Sequence, residues 1–170
     1  MINADPYVQF TASAQRLVAA LGNRSLAVAE SLTAGMVSAA IANVPGVSAI
    51  YRGAVVSYAT EVKTSVLQVP TSLISVHTPV SIPVAEQMAR GIAQLLSADA
   101  ALATTGVAGP GPAWGKPAGT VVIAALLDGH VTTRELQLSG DRAAVRTAAT
   151  LQALALLSTL GEQNRSTMCY

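Results

Sequence analysis

The chain has 170 residues, a net charge of +1 and only 11% charged residues. That length suits one domain with a real core, and no Lys/Arg cluster marks a nucleic-acid footprint. No apolar run of membrane-spanning length and no basic-then-apolar leader stand out, so a cytoplasmic, membrane-free protein is the expectation.

The single cysteine, Cys169, sits in a polar tail, so no disulfide framework and no cysteine-built metal site is expected. Apolar residues make up 51% of the chain, mostly Ala, Val and Leu. A surface so poor in charge points to a homodimer or higher homo-oligomer that covers apolar surface between subunits.

In chain order, Phe10, Ala14, Leu17, Val18 and Leu21 recur at helical spacing, and Gly22-Asn23 ends that helix. Leu26–Ala29 reads as a buried strand and Ala34–Asn43 as a small-residue helix. After the break at Val44-Pro45-Gly46, Tyr51–Tyr58 reads as a strand and Thr60–Leu67 as a short helix. Thr71–Val76 is a further helical turn. A helix starts near Ser81, takes Pro83 in its first turn and runs to about Leu96.

Ala100–Thr104 is a short strand, followed by a loop over Thr105–Ala118 rich in glycine and proline. Gly119–Leu127 and Val131–Leu138 flank Asp128-Gly129, a hairpin signal. Asp141 caps a last helix, Arg142–Leu160, and residues 161–170 read as a frayed tail. Alternating helices and strands with one hairpin give an α/β fold, layered around a mixed sheet, in one domain over 1–170 with its core at about 10–160.

In such sheets ligands gather at the carboxyl ends of strands. Three ends here carry unusual polar residues: Glu30-Ser31 with Thr33, Tyr58 with Glu61 and Lys63, and Thr104-Thr105-Gly106. Ser31, between strand and helix, is open to three roles: nucleophile, ligand contact or N-cap. The glycines of Thr105–Gly111 could let backbone N–H groups approach an anion, although the Gly-Lys-Ser/Thr ending of a phosphate loop is absent. If 60–67 is helical, Glu61 and Lys63 diverge by roughly 200°. Lys63 could then face Ser31, and as a base it would have to be neutral. Of the two histidines, His130 sits at the hairpin turn and His77 in a loop, and no metal-ligand spacing occurs. A Ser-His-Asp triad would have to use His77. Asp99 reads as a cap or turn residue.

Taken together, Ala29-Glu-Ser-Leu-Thr-Ala-Gly35, Tyr58-Ala-Thr-Glu-Val-Lys63, Val80-Ser81, Thr105-Gly-Val-Ala-Gly-Pro110, Lys116-Pro-Ala-Gly-Thr-Val121 and Gly140-Asp-Arg142 resemble the CinA C-terminal domain family. That family includes stand-alone nicotinamide mononucleotide deamidases of the PncC type. The resemblance implies a three-layer α/β/α sandwich, often dimeric, that hydrolyses the carboxamide of nicotinamide mononucleotide to nicotinic acid mononucleotide and ammonia. No metal or organic cofactor is implied.

Position by position, it implies Ser31 as nucleophile, Lys63 as catalytic lysine and Tyr58 as active-site tyrosine. It also implies Glu30, Thr33, Gly35, Glu61, Thr105, Gly106 and Arg142 in or around the substrate pocket. Backbone N–H groups at the start of helix 34–43 would bind the oxyanion, and Arg142 or the Thr105–Gly111 loop the phosphate. The chain departs from the family's pattern at Leu32 and Ala34, at Thr60, and in a shortened glycine-rich loop near Ala113-Trp114. A catalytically silent nucleotide-binding or interaction domain, and a Ser-Lys hydrolase of another amide, are the alternatives.

Overall fold

The computed structural model describes residues 6–167. Cys169 lies outside them. Helix α1 (Pro6–Leu21) leads into strand β1 (Leu26–Glu30), helix α2 (Met36–Ala42), a short 3-10 turn (Val47–Ala49) and strand β2 (Tyr51–Val56). Helices α3 (Thr60–Ser65), α4 (Thr71–His77) and α5 (Ile82–Leu96) follow. Strands β3 (Ala100–Gly106), β4 (Thr120–Leu127) and β5 (His130–Gln137) precede the long helix α6 (Arg142–Thr167).

The strands form a five-stranded mixed sheet in the order β2-β1-β3-β4-β5. β1 is parallel to both β2 and β3, whereas β3–β4 and β4–β5 are antiparallel. The central strands are buried on both faces, so they read as unbroken apolar runs rather than alternating ones. Their side chains still sort by the strand period of two. Leu26 and Val28, Ala100 and Leu102, and Val121 and Ile123 face α1, α2 and α6. Ala27 and Ala29, Ala101 and Ala103, and Val122 and Ala124 face α5. The result is a three-layer α/β/α sandwich, as expected. Asp128 (φ 49°) and Gly129 (φ 84°) both take the left-handed region, which the two-residue hairpin turn between β4 and β5 requires.

Some boundaries differ from the sequence reading. Thr105 and Gly106 are strand residues paired with Val122 and Val121, so the glycine-rich loop begins only at Val107. The expected frayed tail is helical as far as Thr167. Tertiary contacts extend it: Arg16 clasps Glu162 at 2.8 Å, Arg165 donates to the Ala19 carbonyl, and Gly161 lies close to the Ala20 backbone. Finally, α6 is long and apolar enough to cross a membrane by length and composition. Here Val145, Ala149, Ala153, Leu154 and Leu157 are buried in the core shared with α1, which accounts for that apolarity.

The carboxyl ends of β1 and β3 lie side by side, with Glu30 opposite Thr104. The β1-to-β2 connection runs through α2 on one face, and the β2-to-β3 connection through α5 on the other. That arrangement opens a crevice beyond the strand ends.

Candidate active site

The turn after β1 is built around Glu30. Its carboxylate is fully buried and accepts from the backbone N–H groups of Gly35 (2.9 Å), Val37 (3.1 Å) and Ser38 (2.8 Å), and from the Ser38 hydroxyl. A helix start leaves several N–H groups without partners, and Glu30 satisfies them from the strand that precedes it. This overturns two expectations. The helix starts at Met36 rather than Ala34, because Ala34 (φ 49°) and Gly35 (φ 95°) are left-handed, and the capping position falls on Gly35 instead of Ser31. The helix-start N–H groups are also occupied by Glu30, so they are not free for an oxyanion. Glu30→Ala strands three N–H donors at once. An expected loss of about 3 kcal/mol, or roughly 6–12 °C in Tm, is measurable by thermal unfolding.

With the capping role gone, Ser31 is free for chemistry. Its N–H donates to the Thr104 carbonyl at 2.9 Å, which locks it to β3. Its Oγ accepts from Lys63 Nζ at 3.0 Å. Lys63 comes from α3 and is only 2% exposed. It also donates to the Ser57 carbonyl at 2.6 Å. Burial pushes the Lys63 ammonium down from its ordinary 10.5 to about 8, against the opposing pull of Glu61. A neutral amine suits these surroundings. One N–H is anchored by Ser57, and the lone pair can take the Ser31 proton.

A cleft of about 170 Å³ opens onto this pair. Ser31, Tyr58, Lys63, Thr105, Gly106 and Arg142 all line it. The cleft is smaller than the ~300–1,000 Å³ typical of whole-ligand pockets, a size that suits a small reacting group. Tyr58 and Trp114, each 57% exposed, stand at that mouth. Arg142 donates to the Tyr58 hydroxyl at 2.5 Å and to the Gly109 carbonyl at 2.8 Å. The tyrosine hydroxyl is therefore engaged by Arg142, whereas Lys63 Nζ donates to Ser31 and Ser57.

A family model described as "CinA C-terminal domain" matches residues 10–160. The chain belongs to the CinA C-terminal domain family. A CinA-like protein of Frankia casuarinae is 47% identical over 133 residues, 78% of this chain and 31% of that protein. A CinA-like protein of Mycobacterium tuberculosis is 46% identical over 154 residues, 89% of this chain and 36% of that protein. The chain thus spans about a third of the length of these curated relatives. Solved structures match nearly end to end. A CinA superfamily protein from Klebsiella pneumoniae is 34% identical with a TM-score of 0.86, covering 94% of this chain and 99% of that one. One from Enterobacter cloacae is 29% identical with a TM-score of 0.87, covering 89% and 92%.

Within this CinA domain, four residues expected around the pocket do not line the cleft. Glu30 and Gly35 are bonded to each other at the start of α2. Thr33 is fully buried, its hydroxyl shared with Thr104 at 2.7 Å. Glu61 is exposed, and its backbone carbonyl accepts from Thr64 and Ser65. Thr105 lines the cleft but donates its hydroxyl to the Pro79 carbonyl. Gly106 lets the cleft wall pack tightly, since a Cβ there would meet the Thr120 carbonyl at 2.6 Å. His77 is exposed at the end of α4 and lines no part of the cleft, so the triad alternative fails on geometry. Asp99 holds the Ser25 N–H and hydroxyl, a turn role as expected.

Thr60, Pro79, Val80 and Trp114 also line the cleft, and sequence reasoning did not single them out as site residues. Trp114, the chain's one tryptophan, carried a usable signal: a large aromatic exposed in a glycine-rich loop is a candidate ligand contact.

Proposed function

We propose that this chain is a Ser-Lys amidohydrolase that converts nicotinamide mononucleotide to nicotinic acid mononucleotide and ammonia. The observation that carries the reading is the buried Lys63 Nζ on Ser31 Oγ, at the floor of a cleft sized for a carboxamide and part of its ring. Neutral Lys63 takes the Ser31 proton as Oγ bonds to the carboxamide carbon. The C–N bond then breaks, and the Lys63 proton goes to the departing ammonia. Water, deprotonated by the same amine, cleaves the ester and frees Ser31. Two aromatic rings at the mouth favour a planar heteroaromatic substrate. The test is ammonia release from nicotinamide mononucleotide, and no release above background would refute the reading.

Arg142 has its guanidinium at the mouth, where the 5′-phosphate of such a substrate would emerge, and a guanidinium suits bidentate phosphate contact. Losing one charge-assisted contact weakens binding by ~1.5–3 kcal/mol, on the order of ten- to a hundred-fold. The native protein should therefore prefer the mononucleotide to nicotinamide riboside in kcat/KM. Arg142→Ala should shrink that preference by about this factor. An unchanged ratio would move phosphate recognition to the loop after Gly106. A cytoplasmic homodimer completes the reading, and light scattering on the purified protein tests the oligomeric part.

A further inference from the structure

We infer that Arg146 is a positioning residue that shapes an oxyanion hole from the turn after Ser31. The inference rests on the amidohydrolase reading above. Arg146 lies four residues after Arg142, on α6. Its Nε donates to the Leu32 carbonyl at 2.9 Å and its Nη2 to the Thr33 carbonyl at 3.0 Å. One planar fork thus holds two consecutive carbonyls, a geometry that a flexible ammonium cannot reproduce.

The consequence follows from peptide planarity. In a trans peptide the C=O and the N–H of the next residue point in opposite directions. The Ser31 carbonyl accepts from the Ala34 N–H at 3.2 Å. The Leu32 N–H, in the same peptide plane, therefore points away from that bond. Arg146 draws the Leu32 carbonyl toward α6, which turns the Thr33 N–H to the opposite side. Among the described residues, neither of these two N–H groups has a protein acceptor. By contrast, the N–H groups of Gly35, Val37 and Ser38 are held by Glu30, and those of Ala34 and Met36 by the turn's own carbonyls. Thr33 is fully buried and lines no part of the cleft, so the donor left over for a bound substrate is the N–H of Leu32, the residue after the nucleophile. Leu32 itself lines the cleft. Such preorganised backbone donors stabilise charge that develops on a carbonyl oxygen under attack. Arg146 touches no substrate. Its role is to hold the Thr33–Ala34 peptide plane, whose Ala34 N–H bonds the Ser31 carbonyl and so fixes the direction of the Leu32 N–H.

The experiment compares native protein, Arg146→Ala and Arg146→Lys for ammonia release from nicotinamide mononucleotide and for Ser31 labelling by a fluorophosphonate probe, with Tm as a folding control. Arg146→Ala should lose about 10²-fold or more in kcat, with KM within about threefold and the Tm curve still cooperative. Guanidinium ion at millimolar concentration should restore part of the lost rate, and Arg146→Lys should fall between native and alanine. A purely structural role would instead lower Tm without selective loss of kcat and would not respond to guanidinium. Native rates in a folded Arg146→Ala overturn the proposal. If that variant does not fold, native kcat in Arg146→Lys overturns it. If native protein labels at Ser31 but releases no ammonia, the substrate reading fails, and the labelling rates of the variants decide the clamp. Native protein that neither labels nor releases ammonia overturns both.

Discussion

Ser31→Ala is expected to abolish amide hydrolysis, by at least about 10⁴-fold in kcat, since removing a nucleophilic serine alone can cost nearly as much as removing the whole catalytic set. The protein should stay folded. Gly35, and not Ser31, occupies the capping position of α2, and the backbone bond from Ser31 to Thr104 survives the substitution. What disappears is the hydroxyl that accepts from Lys63. One net hydrogen bond is worth about 1 kcal/mol, or roughly 2–4 °C in a domain of this size. Initial rates of ammonia release, with a thermal melt beside them, check both halves. Mass spectrometry of native protein quenched during turnover should find an acyl adduct on Ser31 that the variant lacks. Retained turnover in Ser31→Ala would rule out the covalent route.

The second large effect concerns Lys63. Lys63→Arg keeps a positive charge but supplies no neutral base, because guanidinium stays protonated. Its kcat should fall about 10²–10⁴-fold, as for Lys63→Met. Full activity in Lys63→Arg would reduce the lysine to an electrostatic contact. Burial holds the Lys63 ammonium at about 8 rather than 10.5, so the pH profile has a definite sign. Native kcat/KM should rise tenfold per pH unit below about 8 and level off above it.

Stability shifts in the same direction. Below about 8 the lysine is protonated in both folded and unfolded states, and the cost of burying the charge is fully present. Between about 8 and 10.5 the unfolded chain binds more protons, so the unfolding free energy rises with pH there. At 1.36 kcal/mol per pKa unit, the difference between native protein and Lys63→Met should grow by ~3 kcal/mol across that window. Denaturant titrations of both proteins at several pH values measure it, and a flat difference would contradict a buried, depressed Lys63.

The family relationship and the site geometry bear on different parts of the reading. Solved relatives match nearly the whole chain, which accounts for the sandwich. The match covers only about a third of each curated relative, so activity in this chain has to be argued from its own residues. Two left-handed residues near the cleft have local consequences. Ala34 adopts φ 49°, a conformation that costs an L-residue with a side chain roughly 1–2 kcal/mol, and the bond from its N–H to the Ser31 carbonyl holds the turn in spite of that cost. Trp114, in the loop between β3 and β4, also takes a left-handed φ of 56°. That loop is tied down by the Ala113–Lys116 bridge and by the ion pair of Lys116 with Glu135 at 2.6 Å.

Features set by neighbouring residues were legible along the chain. Apolar periodicity placed the helices, unbroken Ala/Val/Leu runs placed the buried strands, and Asp128-Gly129 placed the hairpin, because these patterns report period and turn chemistry that act over a few positions. Polar residues clustered at strand ends placed Ser31, Lys63 and Thr105 near a crevice, because α/β topology converts strand order into position.

What depends on partners distant along the chain was decided only in three dimensions. Ser31 and Lys63 are 32 positions apart, and their contact needs α3 to fold back over the end of β1. Glu30 reads locally as a strand-end carboxylate beside a serine. It becomes the cap of α2 because two left-handed residues turn the chain back over it. Arg146 reads locally as one more helix arginine, and becomes a clamp because α6 crosses the turn after Ser31, more than a hundred positions away in sequence. The last residues of α6 are helical for the same reason, held by Arg16 and Ala19 of α1 rather than by their own propensity. Local propensity sets which elements form, whereas the partner of each buried polar group is set by the packing that removes it from water.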